Sequence, residues 1–222
     1  MLGALKYVWL GLLIAGALVT AFWPQIDLQA SGAFYQTGQG FPWRYAPVTN
    51  FIHDLATLWL PKLLALGLAV GAIFALVSRQ PARPWLFLLL VLLLGPGLLA
   101  NLVLKDQWGR ARPLQITEFD GKAHFTPYWQ PSQACDKNCS FINGDGAFGF
   151  AFVAAALIAR RRRLVFLAGT ATGIVFGVTR VLMGAHFLSD TIWSAMLMLA
   201  VSVGLYAICY GRSAAIAAWR EL

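Results

Sequence analysis

The sequence predicts an all-α integral membrane protein: a six-transmembrane-helix bundle whose candidate active-site residues gather at the extracytoplasmic helix ends. Three observations carry the prediction. First, the 222 residues are 59% hydrophobic and only 12% charged, too apolar for an ordinary soluble domain. Second, residues 7–26, 84–104 and 191–211 hold no Asp, Glu, Lys, Arg or His. Stretches of about 20 residues cross a hydrocarbon core of about 30 Å at about 1.5 Å per residue. Third, the charge is one-sided. With the N-terminus inside, the cytoplasmic face holds Lys6, Arg79, Arg83, Arg160, Arg161, Arg162, Arg163, Arg212 and Arg220 against Glu221, or 9 − 1 = +8. The other face carries eight basic and eight acidic residues, so the whole net charge of +8 sits inside, as loop-charge bias requires.

Taken in order, the first helix is expected near 5–23. Lys6 and the apolar run behind it resemble a leader. The run is long for one, and no small-x-small cleavage site precedes Trp23-Pro24, so a retained helix is expected. Residues 24–56 form the first outer excursion. Its Gly and Pro are interleaved with Phe34, Tyr35, Phe41, Trp43 and Tyr45, which predicts an interfacial helix or re-entrant segment with a Gly/Pro turn. Helices follow near 57–78 and 85–104, the second loosened by Gly95-Pro96-Gly97. The second outer loop, 105–143, is long for a structureless connection, which points to function. Three further helices are expected near 144–160, 163–182 and 190–211. Shorter charge-free gaps at 63–78, 146–159 and 164–179 mark the second, fourth and fifth helices. Arg160–Arg163 lies between two apolar helices and reads as a stop-transfer loop, not a nucleic-acid patch. The whole of 1–222 is one expected domain, without repeats.

The loop pair Cys135 and Cys139 is expected to form a disulfide on an oxidising face. Free thiols or a metal site are the alternatives, and two thiolates fall short of the four ligands zinc wants. Cys209 reads as an apolar packing residue.

The polar residues left over share one face. Lys105 and Arg112 follow the third helix, Asn143, Gly144 and Asp145 open the fourth, and Arg180, His186 and Asp190 span the loop into the sixth. Fixed Arg and Lys stabilise the negative charge of a phosphoryl group in flight. Gly144 permits close backbone approach, and a helix start presents N–H groups to an anion. A neutral imidazole can attack phosphorus, with a carboxylate fixing its tautomer, and His186 and Asp190 stand four apart for that arrangement. Taken alone, His-x3-Asp is also a common helix-start hydrogen bond. Arg110 reads as a headgroup or structural residue, with a phosphate contact as the alternative.

Lys105-x6-Arg112-Pro113, the turn at Asn143-Gly144-Asp145 and Arg180-x5-His186-x3-Asp190 resemble the three motifs of the type 2 phosphatidic acid phosphatase superfamily. Gly95-Pro96-Gly97, Lys105–Arg110 and Cys135–Phe141 further resemble its lipid A 4′-phosphatase branch in Gram-negative bacteria. The resemblance implies a six-helix inner-membrane phosphatase without metal or other cofactor, its termini cytoplasmic and its site periplasmic. It implies that His186 is the nucleophile and forms a phosphohistidine, that Asp190 orients it, and that Lys105, Arg112 and Arg180 hold the phosphate, with Asn143 and Gly144 as further contacts. Its partners would be the bilayer and a phosphorylated membrane lipid, with no nucleic acid. Where the superfamily has Pro-Ser-Gly-His, this chain has Ile142-Asn143-Gly144-Asp145. The absent histidine donates the proton to the leaving alcohol. Asp145 could replace it, pair with Arg112 or Arg180, or touch a substrate hydroxyl. His53 and His124 in the outer loops are further candidates for the acid. The implied activity is a lipid phosphate monoesterase acting on lipid A at the 4′ position. The alternatives are undecaprenyl pyrophosphate or phosphatidylglycerophosphate as substrate, transfer to a second lipid, or a non-catalytic binder or transporter of phosphorylated lipids.

Overall fold

A computed structural model describes residues 5–222, and it is all-helical there, with no strand among the described residues. Helix α1 (Leu5–Phe22) ends before Pro24, and α2 (Gln25–Gly32) turns away from it by 104°. Pro24 cannot donate a backbone hydrogen bond, which breaks the helical ladder at the bend. The remaining elements are α3 (Pro47–Val77), α4 (Arg83–Gln107), α5 (Gly144–Ala156), α6 (Arg162–Leu182), α7 (Leu188–Tyr210) and α8 (Arg212–Glu221). Four of these, α3, α4, α6 and α7, are long and apolar enough to cross a membrane, and the bent α1–α2 pair makes a fifth if it counts as one span. The outward face of α3 is apolar, with Leu63, Leu66, Val70, Ile73, Phe74 and Val77 exposed, a surface suited to lipid rather than water.

Two boundaries differ from expectation. The chain re-enters helix at Pro47, ten residues before 57, so residues 47–56 are not loop. Proline at the first helical position is pre-set for a helix start, and the Thr49 hydroxyl donates to the Ala46 carbonyl at 2.9 Å. In the expected helix 144–160, the helical run ends at Ala156, with an irregular turn at Phe152. Thirteen residues are short for a span. This helix is walled by protein, its residues Gly144–Phe150 all being buried. It lies closest to α6, where a Cβ on Gly149 would come within 2.7 Å of the Gly173 backbone. Small residues therefore set that approach.

Two widened turns shape the helices leading to the site. Pro61 has no N–H, and the helix before it opens so that Leu60 bonds back five residues to Leu55. Pro96 does the same to α4. Residues Leu93–Leu104 wind in wide turns, Lys105 N–H bonds Ala100, and the Asn101 amide donates to the Pro96 carbonyl at 2.7 Å. The loosening expected from Gly95-Pro96-Gly97 is thus taken up by a side chain of the same helix. At the far end, the buried Lys6 ammonium donates to the carbonyls of Trp219 and Arg220 at 2.5 and 2.6 Å, tying α1 to the end of α8.

Candidate active site

Successive long helices run in opposite directions. The end of α4, the start of α5, the end of α6 and the start of α7 therefore meet at one end of the bundle. The outer loop is stitched onto the end of α4 through its backbone. Cys139 N–H bonds Lys105 O at 3.2 Å, Ser140 N–H bonds Arg110 O at 2.8 Å, and Leu114 N–H reaches Gly184 O at 3.0 Å in the loop between α6 and α7. Gly109 stands at φ 66, and a Cβ there would lie 1.7 Å from Ser132 O, so this crossing admits only glycine. Cys135 and Cys139 are joined through their sulfurs. Within the loop they close, the Asn138 carbonyl accepts from Arg112 Nη2 at 2.7 Å and Nε at 3.2 Å, and Asn138 Oδ1 accepts at 3.0 Å. The guanidinium is thereby aimed before any ligand arrives.

A cavity of about 420 Å³ opens here, its polar wall made of His53, Thr57, Lys62, Asn101, Lys105, Arg112, Asn138, Gly144, Asp145 and Arg180. The three expected phosphate cations are all on this wall. A second cavity of about 240 Å³ adjoins it, sharing His53, Arg112 and Arg180 and adding Arg44 and Asn50. Burial, followed by the neighbouring Arg180 charge, lowers the Arg112 guanidinium to about 10, which leaves it charged at neutral pH. Gly144 faces Asn101 and Lys105 so closely that a Cβ would lie 2.4 Å from Asn101 Oδ1 and 2.9 Å from Lys105 Nζ.

His186 and Asp190 stand behind this wall, fully buried. The His186 Nδ1–H donates to the Ser140 carbonyl at 2.6 Å, while Asp190 Oδ2 lies farther from that nitrogen, at 3.6 Å. The backbone of Ser140 fixes the tautomer. The other ring nitrogen, Nε2, carries the lone pair and has no hydrogen-bond partner among the described residues. Burial, opposed by the Asp190 carboxylate and aided by the Lys105 and Arg112 charges, lowers the imidazole to about 3, so it is neutral at physiological pH.

Asp190 is itself held on three sides. It accepts from Arg110 Nη1 at 2.5 Å, the Ser140 hydroxyl at 2.5 Å and the Phe187 N–H at 2.8 Å, the last bond capping α7. Arg110 is wholly buried. It also donates to Asp27 of α2 at 2.8 Å, and Asp27 accepts from the Ser189 N–H and hydroxyl at 2.8 and 2.5 Å. This settles Arg110 as structural, and it gives the bent α2 segment a purpose: its carboxylate braces the start of α7. Sequence inspection does not find Asp27, because its partners lie 83 and 162 positions away.

Asn143 differs from expectation. It is buried away from the cavity wall, caps α5 by accepting from Gly146 N–H at 3.1 Å, and uses its amide on Gly177 O and Thr191 Oγ1, both at 3.0 Å. Both donors are engaged, so it braces the helix start rather than reaching a phosphate. Asp145 takes the ion-pair arrangement. Its Oδ2 lies 2.6 Å from His53 Nδ1 and 3.5 Å from Arg180 Nε. His53 is carried by α3 rather than by a loop, whereas His124 is exposed and outside both cavities. The polar stripe Asn50, His53, Thr57 was the available signal, since its spacing places all three on one helical face. Asn101 was legible in the same way, four residues before Lys105. Among the described residues, no group of three or more His, Cys, Asp or Glu is placed to hold a metal ion.

Comparison with known proteins gives the family. The chain is 31% identical over 194 residues to the lipid A 4′-phosphatase of Francisella tularensis subsp. novicida (strain U112), covering 84% of this chain and 87% of that protein. It is 30% identical over 197 residues to the lipid A 4′-phosphatase of Rhizobium leguminosarum, covering 84% and 83%. A lipid A 1-phosphatase of Rhizobium etli is 43% identical over 97 residues, covering 43% of this chain and 38% of that protein. No solved structure matches significantly. The family model described as the PAP2 superfamily matches residues 84–214, which contain Lys105, Arg112, Asp145, Arg180, His186 and Asp190 and make up more than half of the chain. On that match, the chain belongs to the PAP2 superfamily.

Proposed function

We propose that this protein is a lipid phosphatase that removes the 4′-phosphate of lipid A through a phosphohistidine on His186, without a metal ion. One observation carries the proposal: a buried neutral imidazole whose Nε2 has no hydrogen-bond partner among the described residues, held behind a cavity wall of Lys105, Arg112 and Arg180. The cations neutralise the phosphoryl oxygens, and the His186 Nε2 lone pair attacks phosphorus. As the imidazole becomes positive, the Ser140 carbonyl and the Asp190 carboxylate stabilise it. Relatives named lipid A 4′-phosphatase, matched over most of both chains, support the choice of lipid.

The membrane arrangement proposed with it has six spans: the α1–α2 unit, α3, α4, α5, α6 and α7. Here α5 spans as an element enclosed by protein rather than lipid, which its short length allows. The basic residues Arg160–Arg163 and Arg212 then lie in the cytoplasm, and the cavity opens to the periplasm at the inner membrane.

The test uses purified protein in EDTA with lipid A labelled at either the 4′ or the 1 position. Phosphate released from the 4′ position alone is the expected result, abolished in His186→Ala, with acid-quenched enzyme carrying phosphate on His186. Turnover that requires added metal, or no phosphoenzyme, refutes the mechanism. Release from the 1 position instead moves the substrate assignment to the one named for the partial relatives.

A further inference from the structure

The reaction proposed above needs a proton for the departing sugar oxygen, and the motif histidine that would give it is absent. We propose that His53 is the catalytic acid–base of this enzyme and that Asp145 is its positioning carboxylate. The inference rests on the phosphohistidine reading and deepens it.

Four observations carry it. His53 Nδ1 lies 2.6 Å from Asp145 Oδ2, so a carboxylate on α5 fixes an imidazole on α3. Asp145 is thus already an acceptor, with Arg180 Nε 3.5 Å from the same oxygen, an arrangement that orients an imidazole instead of releasing a proton itself. His53 lines both adjoining cavities, in each case together with Arg112 and Arg180, so it stands where the phosphate cations converge. Its Nε2 makes no hydrogen bond among the described residues, and the side chain is partly exposed. Each of the other two histidines is unsuited: His186 is the nucleophile, and His124 lies outside both cavities. Thr57, one turn along α3, donates to the His53 carbonyl at 2.7 Å and steadies that turn.

The step balances without a co-reactant. His186 Nε2 gives its lone pair to phosphorus as the phosphorus–oxygen bond of the ester breaks. That electron pair goes to the sugar oxygen, which takes the proton from His53 Nε2. His53 is left neutral, still donating Nδ1–H to Asp145. Water then attacks the phosphohistidine and passes its proton to His53 Nε2, the phosphorus–nitrogen bond breaks, and its electrons return to His186. Inorganic phosphate leaves and His53 is recharged. The dyad inverts the usual order, with a carboxylate at the motif position and the histidine supplied from another helix.

Leaving-group dependence tests this. Wild type, His53→Gln and Asp145→Asn are assayed in the same micelles on lipid A and on a series of phosphate monoesters from alkyl to nitrophenyl. An alkoxide needs a proton to leave, whereas nitrophenolate does not. Both variants are expected to lose about 10²–10⁴-fold on lipid A, the range for general acid–base catalysis, and far less on the nitrophenyl ester. The rate should become steeply dependent on the leaving group. His53→Gln should also accumulate phosphohistidine from the nitrophenyl ester, because the base for the second step is missing. The double variant should be little worse than either single one, as for residues acting as a unit. Equal losses across the series, or an unchanged leaving-group slope, overturn the assignment while leaving His186 chemistry intact. A wild type that forms no phosphoenzyme defeats the underlying reading instead.

Discussion

Asp27→Ala isolates the brace beneath the site. Asp27 is buried on α2 and accepts three bonds, from Arg110 Nη2 at 2.8 Å, Ser189 N–H at 2.8 Å and the Ser189 hydroxyl at 2.5 Å. Removing it leaves the Arg110 guanidinium, which is wholly buried, paired with Asp190 alone. The charge is not stranded, because Asp190 remains. The loss is three buried donors left without their acceptor, at about 1–3 kcal/mol each, or roughly 3–5 kcal/mol in total at the low end of that range. A chain of this size shifts its midpoint by roughly 2–4 °C per kcal/mol, so a fall of about 6–20 °C is expected. Nine tryptophans make intrinsic fluorescence in detergent a suitable probe. Asp27→Asn keeps the shape and one acceptor oxygen and should fall between wild type and alanine. Activity measured well below the new midpoint should also drop, because Arg110 sets the position of Asp190. A shift below about 2 °C for alanine would refute the brace.

Other expectations follow from the same geometry. In Gly144→Ala, the new Cβ displaces the Asn101 amide and the Lys105 ammonium, whose ends can move cheaply. The midpoint should barely change while kcat/KM falls on the order of 10²-fold, the cost of misplacing a catalytic contact by about 1 Å. Replacing Cys135 and Cys139 together by Ser frees the turn whose Asn138 aims Arg112, so KM for the lipid should rise more than kcat falls. His186 is lowered from its ordinary 6.5 to about 3. Below pH 6.5 the unfolded chain therefore takes up a proton that the folded chain refuses, and this contribution to stability is lost as pH falls towards 3. At pH 5 the loss amounts to roughly 2 kcal/mol. Denaturation at pH 7 and pH 5 should show wild type losing about that much more than His186→Asn, and equal losses would contradict a buried neutral imidazole.

The polar ends of the apolar segments were legible because a membrane leaves few places for charge. Lys105, Asp145, Arg180 and Asp190 each flank a charge-free stretch, Arg112 and His186 lie a little farther from one, and the alternation of helix direction brings them to one end. What was illegible is pairing across helices. No periodicity relates Asp27 to Arg110, or His53 to Asp145, 92 positions apart. The start of α3 is hard to read because aromatics and Gly/Pro residues, Pro47 among them, fit an interfacial segment equally well; the Asn50–His53–Thr57 stripe is what marks the helix. The role of Asn143 is illegible for a related reason: a residue at a helix start offers either its side chain to a ligand or a cap to its own backbone, and only the packing of Gly177 and Thr191 against it decides.

The wide turns of α4 bear on how such a chain can change over generations. Each turn that bonds five residues back accommodates a surplus residue relative to an ordinary helix. If one such turn tightened to an ordinary one with no residue removed, everything after it would turn by roughly 100° about the axis, since a helix has about 3.6 residues per turn. Lys105 would swing off the cavity while every motif letter stayed in place. The phase of α4 is therefore inherited together with its wide turns, and a substitution that lets one of them tighten, as at Pro96, is more damaging than most others in the same helix.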